Sequence, residues 1–355
     1  MISLIAAGVD THKDFHILAL TDELGRELSV HRVCATKAGY EEVVRILGDV
    51  RDVIVVGMEG TGSYGSGLCA HLTRKGYPVS EVCRPKRERR RPGQAKTDGA
   101  DALRAARDAL RDLDEGRIPK ERDGWIEAAR VIKVAHDSAV KARSAHMVTL
   151  KNLIVTAPDP IRERLRHLGD ADLIATCARK RSCQEEIIQA LWDALRTLAL
   201  LWRSADDEAH TTEDALSHLI SRHAPALLST FGIGPLVAAT LATTAGENID
   251  RLTKGEASFA ALCGVNPVPA ESGKTQGRHR LNRGGDRKAN AALHTIAIVR
   301  MRFDEDTKAY VAKKMGEGKT KRDAIRCLKR HIAREVYKLL RDPFGKHREP
   351  YKKRA

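Results

Sequence analysis

The chain has 355 residues, a formal net charge of +15, 42% hydrophobic residues, 31% charged residues and 4% aromatic residues. About 150 residues per domain allows roughly two domains, and no run of ~18 apolar residues exists to make a transmembrane helix. The seven cysteines are scattered without a CxxC pair, which argues against a disulfide framework and a zinc ribbon and for a reducing, cytoplasmic setting.

The first apolar run, 4–9 (LIAAGV), predicts a strand ending at Asp10. Lacking a basic start and a long apolar core, this N-terminus does not read as a signal peptide. A second strand is predicted over 15–21, a turn at Asp22-Glu23-Leu24-Gly25, and an alternating third strand over 27–34. Thr36 is placed to cap a helix reaching about Leu47. The unbroken apolar run 53–58 has the character of a central buried strand ending at Glu59. A helix over about 64–75, a strand over 78–83, a basic loop and a helix from about Thr97 follow. Three strands then pair as an antiparallel meander, and two more add in parallel through helical crossovers. That is the layout of an RNase H-like α/β fold.

From about 121 to 210 the pattern becomes long helices. Val131, Val134, Ala139, Ala142, Ala145 and Val148 suggest a stripe on a helix over 125–155, and 186–205 carries a stronger one. Pro158 and Pro160 separate the two, which can form a helical hairpin or a coiled-coil dimer arm. Beyond 224 the Gly232-Ile233-Gly234 turn between apolar helices resembles a helix-hairpin-helix, whose backbone N–H groups hold a DNA phosphate. Helices are predicted over 287–302 and, basic and amphipathic, over 318–340 with Ile325, Leu328, Ile332 and Val336 on one side. The expected domains are an α/β catalytic domain over 1–115, a helical linker and dimerisation region over 116–222, a mainly helical domain over 223–310 and a basic helical tail over 311–355.

Positive charge is clustered. The segment RPKRERRR supplies Arg84, Lys86, Arg87, Arg89, Arg90 and Arg91, with Lys96 nearby; Lys274, Arg278, Arg280, Arg283, Arg287 and Lys288 form a second group. Such a chain is attracted to polyanions, nucleic acid being the usual one. The scarcity of aromatics favours phosphate contact over base stacking.

Asp10, Glu59, Asp98 and Asp101 form the candidate acidic site. The first two end predicted strands, and the other two share one side of a helix start. Singly, each has an ordinary role, as a turn cap or as a helix N-cap with a first-turn acid. Together, beside a basic loop, they suit divalent cations, because clustered acids repel and hard cations take oxygen ligands.

Three segments, GVDTHK (8–13), MEGTGSYG (58–65) and AKTDGADALRAA (95–106), resemble the motifs of the DEDD transposases, an insertion-sequence family that includes the Piv-like DNA invertases. FGIGPLVAATLATTAG, FAALCGVNPVPAESG and LNRGGDRKANAALH resemble that family's C-terminal domain, so the likeness runs over about 5–305. It implies a RuvC-like N-terminal domain with Asp10, Glu59, Asp98 and Asp101 as ligands of Mg2+ or Mn2+, and a catalytic serine at Ser272. It further implies double-stranded DNA as substrate, a bridge non-coding RNA as guide, and a homodimer assembling to a homotetramer on the nucleoid. Apart from that resemblance Ser272 is a loop serine able to bond its own backbone, with Ser258 and Ser229 as alternatives and His279 as a candidate base. The rival readings are a metal-dependent junction nuclease with water as nucleophile, a sugar kinase-like ATPase and a non-catalytic nucleic-acid binder.

Overall fold

The computed structural model describes residues 4–83, 98–113, 116–252, 254–269 and 279–343. It divides into two compact units, residues 1–122 with 246–253 and residues 123–245 with 254–355.

In the first unit, β1 (Ile5–Thr11), β2 (Phe15–Asp22) and β3 (Glu27–Cys34) form the antiparallel meander. Asp22 Oδ1 accepts from the backbone N–H groups of Leu24 and Arg26, and Gly25 takes the left-handed conformation that closes this turn. Helix α1 (Lys37–Leu47) starts where Thr36 accepts from the Gly39 N–H at 3.3 Å. Then come β4 (Val53–Met58), α2 (Ser66–Arg74), β5 (Val79–Glu81) and α3 (Asp98–Arg111). The sheet order is β3-β2-β1-β4-β5, with β4 parallel to both β1 and β5. One face carries Val9, Leu18, Val56 and Met58 against Val43 and Leu47 of α1 and Leu68 and Leu72 of α2. Each such side chain contributes about 1.5–3 kcal/mol on burial. The opposite face, through Ala6, Ala19 and Val55, packs on Ala102 and Ala109 of α3.

The second unit opens with α4 (Gly124–Val155), then α5 (Asp159–Leu165), α6 (Asp170–Cys177) and α7 (Glu186–His223). Helices α4 and α7 lie antiparallel as a hairpin. Trp125 stacks on His223 at one end, Arg143 pairs with Asp206 at 2.5 Å midway, and Met147, Leu150 and Ile154 pack with Trp192, Leu195 and Ala199 at the other end. Two expectations need correction here. Val131, Val134 and Val148 are exposed, and the buried stripe of α4 is Ile126, Ala129, His136, Ala139, Met147, Leu150 and Ile154. The second helix also runs on past the expected stripe of 186–205 to His223, because Ala209, Thr212, Leu216 and Ile220 keep a sparse inward stripe through a polar sequence. Pro160 stands in the first turn of α5, where its missing N–H costs nothing, so the prolines start a helix as well as ending one.

The rest comprises α8 (Pro225–Leu228), α9 (Pro235–Ala245), α10 (Glu256–Leu262), β6 (Pro267–Pro269), β7 (His279–Leu281), α11 (Arg287–Phe303), α12 (Glu305–Gly316) and α13 (Lys321–Arg341). In α13, Leu328, Ile332 and Val336 are buried as the amphipathic pattern requires. No helix among the described residues is long and apolar enough to cross a membrane.

Candidate functional site

Helix α3 lies unusually close to the sheet. A Cβ on Gly8 would stand 2.0 Å from the Ala102 carbonyl oxygen and 2.3 Å from the Ala106 nitrogen. One on Gly57 would stand 2.3 Å from the Ala105 carbonyl oxygen. These two glycines face each other across the parallel β1–β4 pair, and Ala102, Ala105, Ala106 and Ala109 line the facing side of α3. Each glycine stands two residues before an acid, Gly8 before Asp10 and Gly57 before Glu59. The spacing therefore packs the helix tightly just below the ends of β1 and β4. It brings the first turn of α3, with Asp98 and Asp101, to the carboxylates that close those strands.

The four acids divide into two groups. Asp10 and Asp98 meet at His12, whose Nε2 lies 3.2 Å from Asp10 Oδ2 and 3.8 Å from Asp98 Oδ2. Ligand atoms of Asp10, His12 and Asp98 all fall within 4.8 Å of one another. The His12 ring is set by stacking on Phe15, 4.7 Å between centroids, and by its own backbone N–H donating to the Phe15 carbonyl at 3.1 Å. Glu59 and Asp101 meet at Arg104, which donates to Glu59 Oε1 and, at 3.2 Å, to Asp101 Oδ1. Burial pushes the Glu59 carboxyl above the usual range; the Arg104 guanidinium opposes that shift, and Asp10 and Asp101 add to it. Two carboxylates and one imidazole fit a divalent cation, since carboxylate oxygens suit Mg2+ and Mn2+ and the imidazole supplies a donor that transition metals accept. His12 and Arg104 carry no periodic signal in the sequence, although His12 stands two residues from Asp10 and Arg104 one helical turn after Asp101.

In the second unit Gly232 has φ +83°, the left-handed conformation that turns the chain from α8 into α9. Arg300 Nε braces this turn by donating to the Phe231 carbonyl at 2.9 Å. A Cβ on Gly234 would meet nothing within 4 Å. Arg280, Arg283, Arg287 and Lys288 are all exposed. Lys288 is already engaged, its Nζ 2.6 Å from Asp137 Oδ2. Burial disfavours the Asp137 carboxylate, but Lys133 and Lys288 outweigh it and hold the group down to about 2. Of the alternative serines, Ser229 donates to the carbonyls of Pro225 and Ala226, and Ser258 Oγ accepts from the Lys254 N–H at 3.3 Å. Strands β6 and β7 pair antiparallel, and the chain between them contains Ser272. Ser272, Lys274, Arg278, Arg84, Lys86, Arg87, Arg89, Arg90, Arg91 and Lys96 lie outside the described residues.

Two family models match, each within its own part of the chain. A DEDD transposase model of the IS110 type covers residues 7–157, the span that holds all four acids. A model for the transposase IS116/IS110/IS902 family covers residues 224–312. One similar protein is the insertion element IS900 uncharacterized 42 kDa protein of Mycobacterium paratuberculosis, 27% identical over 185 residues. That match takes in 50% of this chain and 46% of the relative's length. On its two matched segments, residues 7–157 and 224–312, the chain belongs to the IS110-type DEDD transposases.

Proposed function

We propose that the protein is a DNA recombinase that cuts and rejoins DNA at the ends of a mobile element. The observation that carries this reading is the meeting of Asp10, His12 and Asp98 beside the Glu59–Arg104–Asp101 group, within a chain of the transposase family. The sheet order β3-β2-β1-β4-β5, antiparallel then parallel, supports a RuvC-like RNase H fold for the domain at 1–115. Asp10, Glu59, Asp98 and Asp101 are the proposed metal ligands, and the fit of His12 adds a fifth. Mg2+ or Mn2+ held by these residues would supply positive charge to offset the negative charge that develops as a phosphodiester is cut. Arg104 holds Glu59 and Asp101 in place by charge-assisted hydrogen bonds.

Ser272 is the proposed nucleophile. Its Oγ forms a bond to phosphorus, the bond from phosphorus to the 3′-oxygen breaks, the Oγ proton passes to a base and the leaving oxygen takes up a proton. The phosphoserine link conserves the bond energy, so rejoining by the reverse step needs no ATP. The family resemblance supports a bridge RNA pairing with target and donor DNA, which would leave the protein to recognise backbone and shape. It likewise supports a helical region over 116–222 that joins subunits into a dimer and then a tetramer. The exposed Arg280, Arg283 and Arg287 and the Gly232 turn are the proposed DNA contacts.

The test is covalent trapping. The full-length protein, expressed with its native flanking DNA so that any guide RNA is made, is given supercoiled DNA carrying the element ends and Mg2+. Denaturing gels and peptide mass spectrometry then compare wild type, Ser272→Ala and Asp10→Ala. An adduct on Ser272 that both substitutions abolish is the expected result. Cleavage that survives Ser272→Ala without an adduct but is lost in Asp10→Ala sinks the serine mechanism and leaves a junction nuclease that uses water.

A further inference from the structure

A cavity of about 590 Å³ opens in the second unit, between the 264–267 turn, Arg280, α11, α12 and α13. Its size falls in the range of ligand pockets, roughly 300–1,000 Å³, and is too small for a duplex. The wall is strongly basic, with Arg280, Lys319, Arg326, Lys329 and Arg330. Asp323 also lines it, but that carboxylate is already engaged by Thr320 Oγ1 at 2.5 Å and by Arg326 Nη1 at 2.7 Å.

Three residues of this wall carry buried polar groups that the protein leaves under-satisfied. Lys329 is only 8% exposed, and its ammonium donates to Asn290 Oδ1. The Asn290 amide nitrogen donates to the carbonyls of Cys263 at 2.9 Å and Gly264 at 3.1 Å, which fixes its oxygen toward the lysine. That turn is compact because Gly285 packs on Gly264, where a Cβ would come within 2.2 Å of the Gly264 nitrogen. Among the described residues no carboxylate lies within ion-pair reach of Lys329. The other two groups are Arg330 Nη1 and Tyr310 Oη, both buried and without a hydrogen-bond partner among the described residues. A buried cation facing one neutral acceptor is costly, and so is an orphaned donor. The oxygens of a bound anion would supply the acceptors that Arg330 Nη1 and Tyr310 Oη lack and a counter-charge for Lys329.

We propose that this cavity binds a phosphate of a nucleic-acid strand in single-stranded form, with Lys329, Arg330 and Tyr310 as its buried partners and Arg280 and Lys319 on the flanking phosphates. The identity of the polyanion rests on the function proposed above. RNA and DNA offer the same phosphate, so the experiment separates them.

Full-length protein is titrated by fluorescence anisotropy with a labelled 12-nucleotide RNA, the same sequence as single-stranded DNA, and its duplex, across a salt series. Two variants are compared with wild type, Tyr310→Phe and the double substitution Lys319→Gln with Arg330→Gln. The double variant is expected to lose at least tenfold in affinity for a single strand, and its log–log salt slope to fall by about 1.4, as two lost phosphate contacts require. Tyr310→Phe keeps every charge, so it should weaken binding about threefold or more with the slope unchanged. Loss confined to the RNA probe assigns the site to RNA, loss confined to the DNA probe assigns it to DNA, and loss on both shows that the shared phosphate is read. Wild-type affinity for both single strands in Tyr310→Phe overturns the proposal, even if the double variant weakens all probes through its lost charge. Because Tyr310→Phe decides the matter by itself, misfolding of the double variant would not rescue the proposal. A wild-type protein that binds none of the probes would instead refute the recombinase reading itself.

Discussion

Replacing Gly8 by alanine should damage the acidic site more than it damages the fold. The added methyl would lie 2.0 Å from the Ala102 carbonyl oxygen and 2.3 Å from the Ala106 nitrogen. Both are backbone atoms of one helix, so no side chain can rotate away. To restore roughly 3.4 Å of ordinary contact, α3 must withdraw by more than about 1 Å. Overpacking of this kind costs about 1–3 kcal/mol. The same withdrawal carries Asp98 and Asp101 away from Asp10 and Glu59, and a misplacement of ~1 Å at a reacting centre costs about 100-fold in rate. Urea denaturation measures the first effect; Mn2+ binding by calorimetry and strand cleavage of supercoiled DNA measure the second. Gly48→Ala is the control. Gly48 has φ +75° with nothing within 4 Å of its Cβ position, so alanine there should cost about 1–2 kcal/mol through strain alone and leave cation binding intact. Wild-type cation affinity and cleavage in Gly8→Ala would refute the idea that close helix packing places the acids. Equal losses in Gly8→Ala and Gly48→Ala would refute it as well.

Asp137→Asn should make stability less dependent on acid pH. Because Lys133 and Lys288 hold the folded Asp137 near 2, below its ordinary 3.8, this carboxylate stabilises the fold above about pH 4 and loses that contribution as pH falls toward 2. The contribution is about 1 kcal/mol once solvent screening is allowed for, so wild-type and variant urea midpoints should differ at pH 6 and converge at pH 2. Gly232→Ala should cost about 1–2 kcal/mol because its φ of +83° suits glycine, whereas Gly234→Ala, with open space around it, should cost less than half of that in the same titration. Tyr310→Phe should raise thermal stability of the free protein by about 1 kcal/mol, since it removes a buried hydroxyl that has no partner among the described residues; an unchanged or lowered melting temperature counts against that reading.

The sheet was legible because its signals are local. Alternation in 27–34, the continuous apolar run 53–58 and the turn at Asp22–Gly25 each fix one element, and handedness rules then leave few ways to join them. The long helices were legible in number but not in phase. Valine at 131, 134 and 148 looks like a core stripe, yet the hairpin buries His136, Ala139 and Met147, because the partner helix decides which side is inside. The acids were visible as residues at strand and helix ends. Their division into two groups was not, since it depends on His12 and Arg104, which periodicity treats as an ordinary strand end and an exposed helical arginine. The cavity under α13 was equally hidden: Asn290, Tyr310 and Lys329 lie far apart in sequence and meet only through helix packing.

The two groups of acids differ in how their charge is balanced, and this bears on the order in which the site is completed. Glu59 and Asp101 share one guanidinium, so that half is compensated within the protein. Asp10 and Asp98 have only His12 within ion-pair reach among the described residues, and its Nε2, 3.2 and 3.8 Å away, hydrogen-bonds to neither, whereas Arg104 donates to both of its acids. Repulsion between the uncompensated pair is relieved by an external cation, which is therefore expected to enter first on the Asp10–His12–Asp98 side. Arg104→Ala removes compensation from the other half only. It should leave the tighter cation site, read by calorimetry with Mn2+, near its wild-type affinity, while it disorders Glu59 and lowers cleavage by at least tenfold. If Arg104→Ala abolished the tighter site while His12→Ala left it unchanged, the division of labour would run the other way, and Glu59 with Asp101 would be the first ligands.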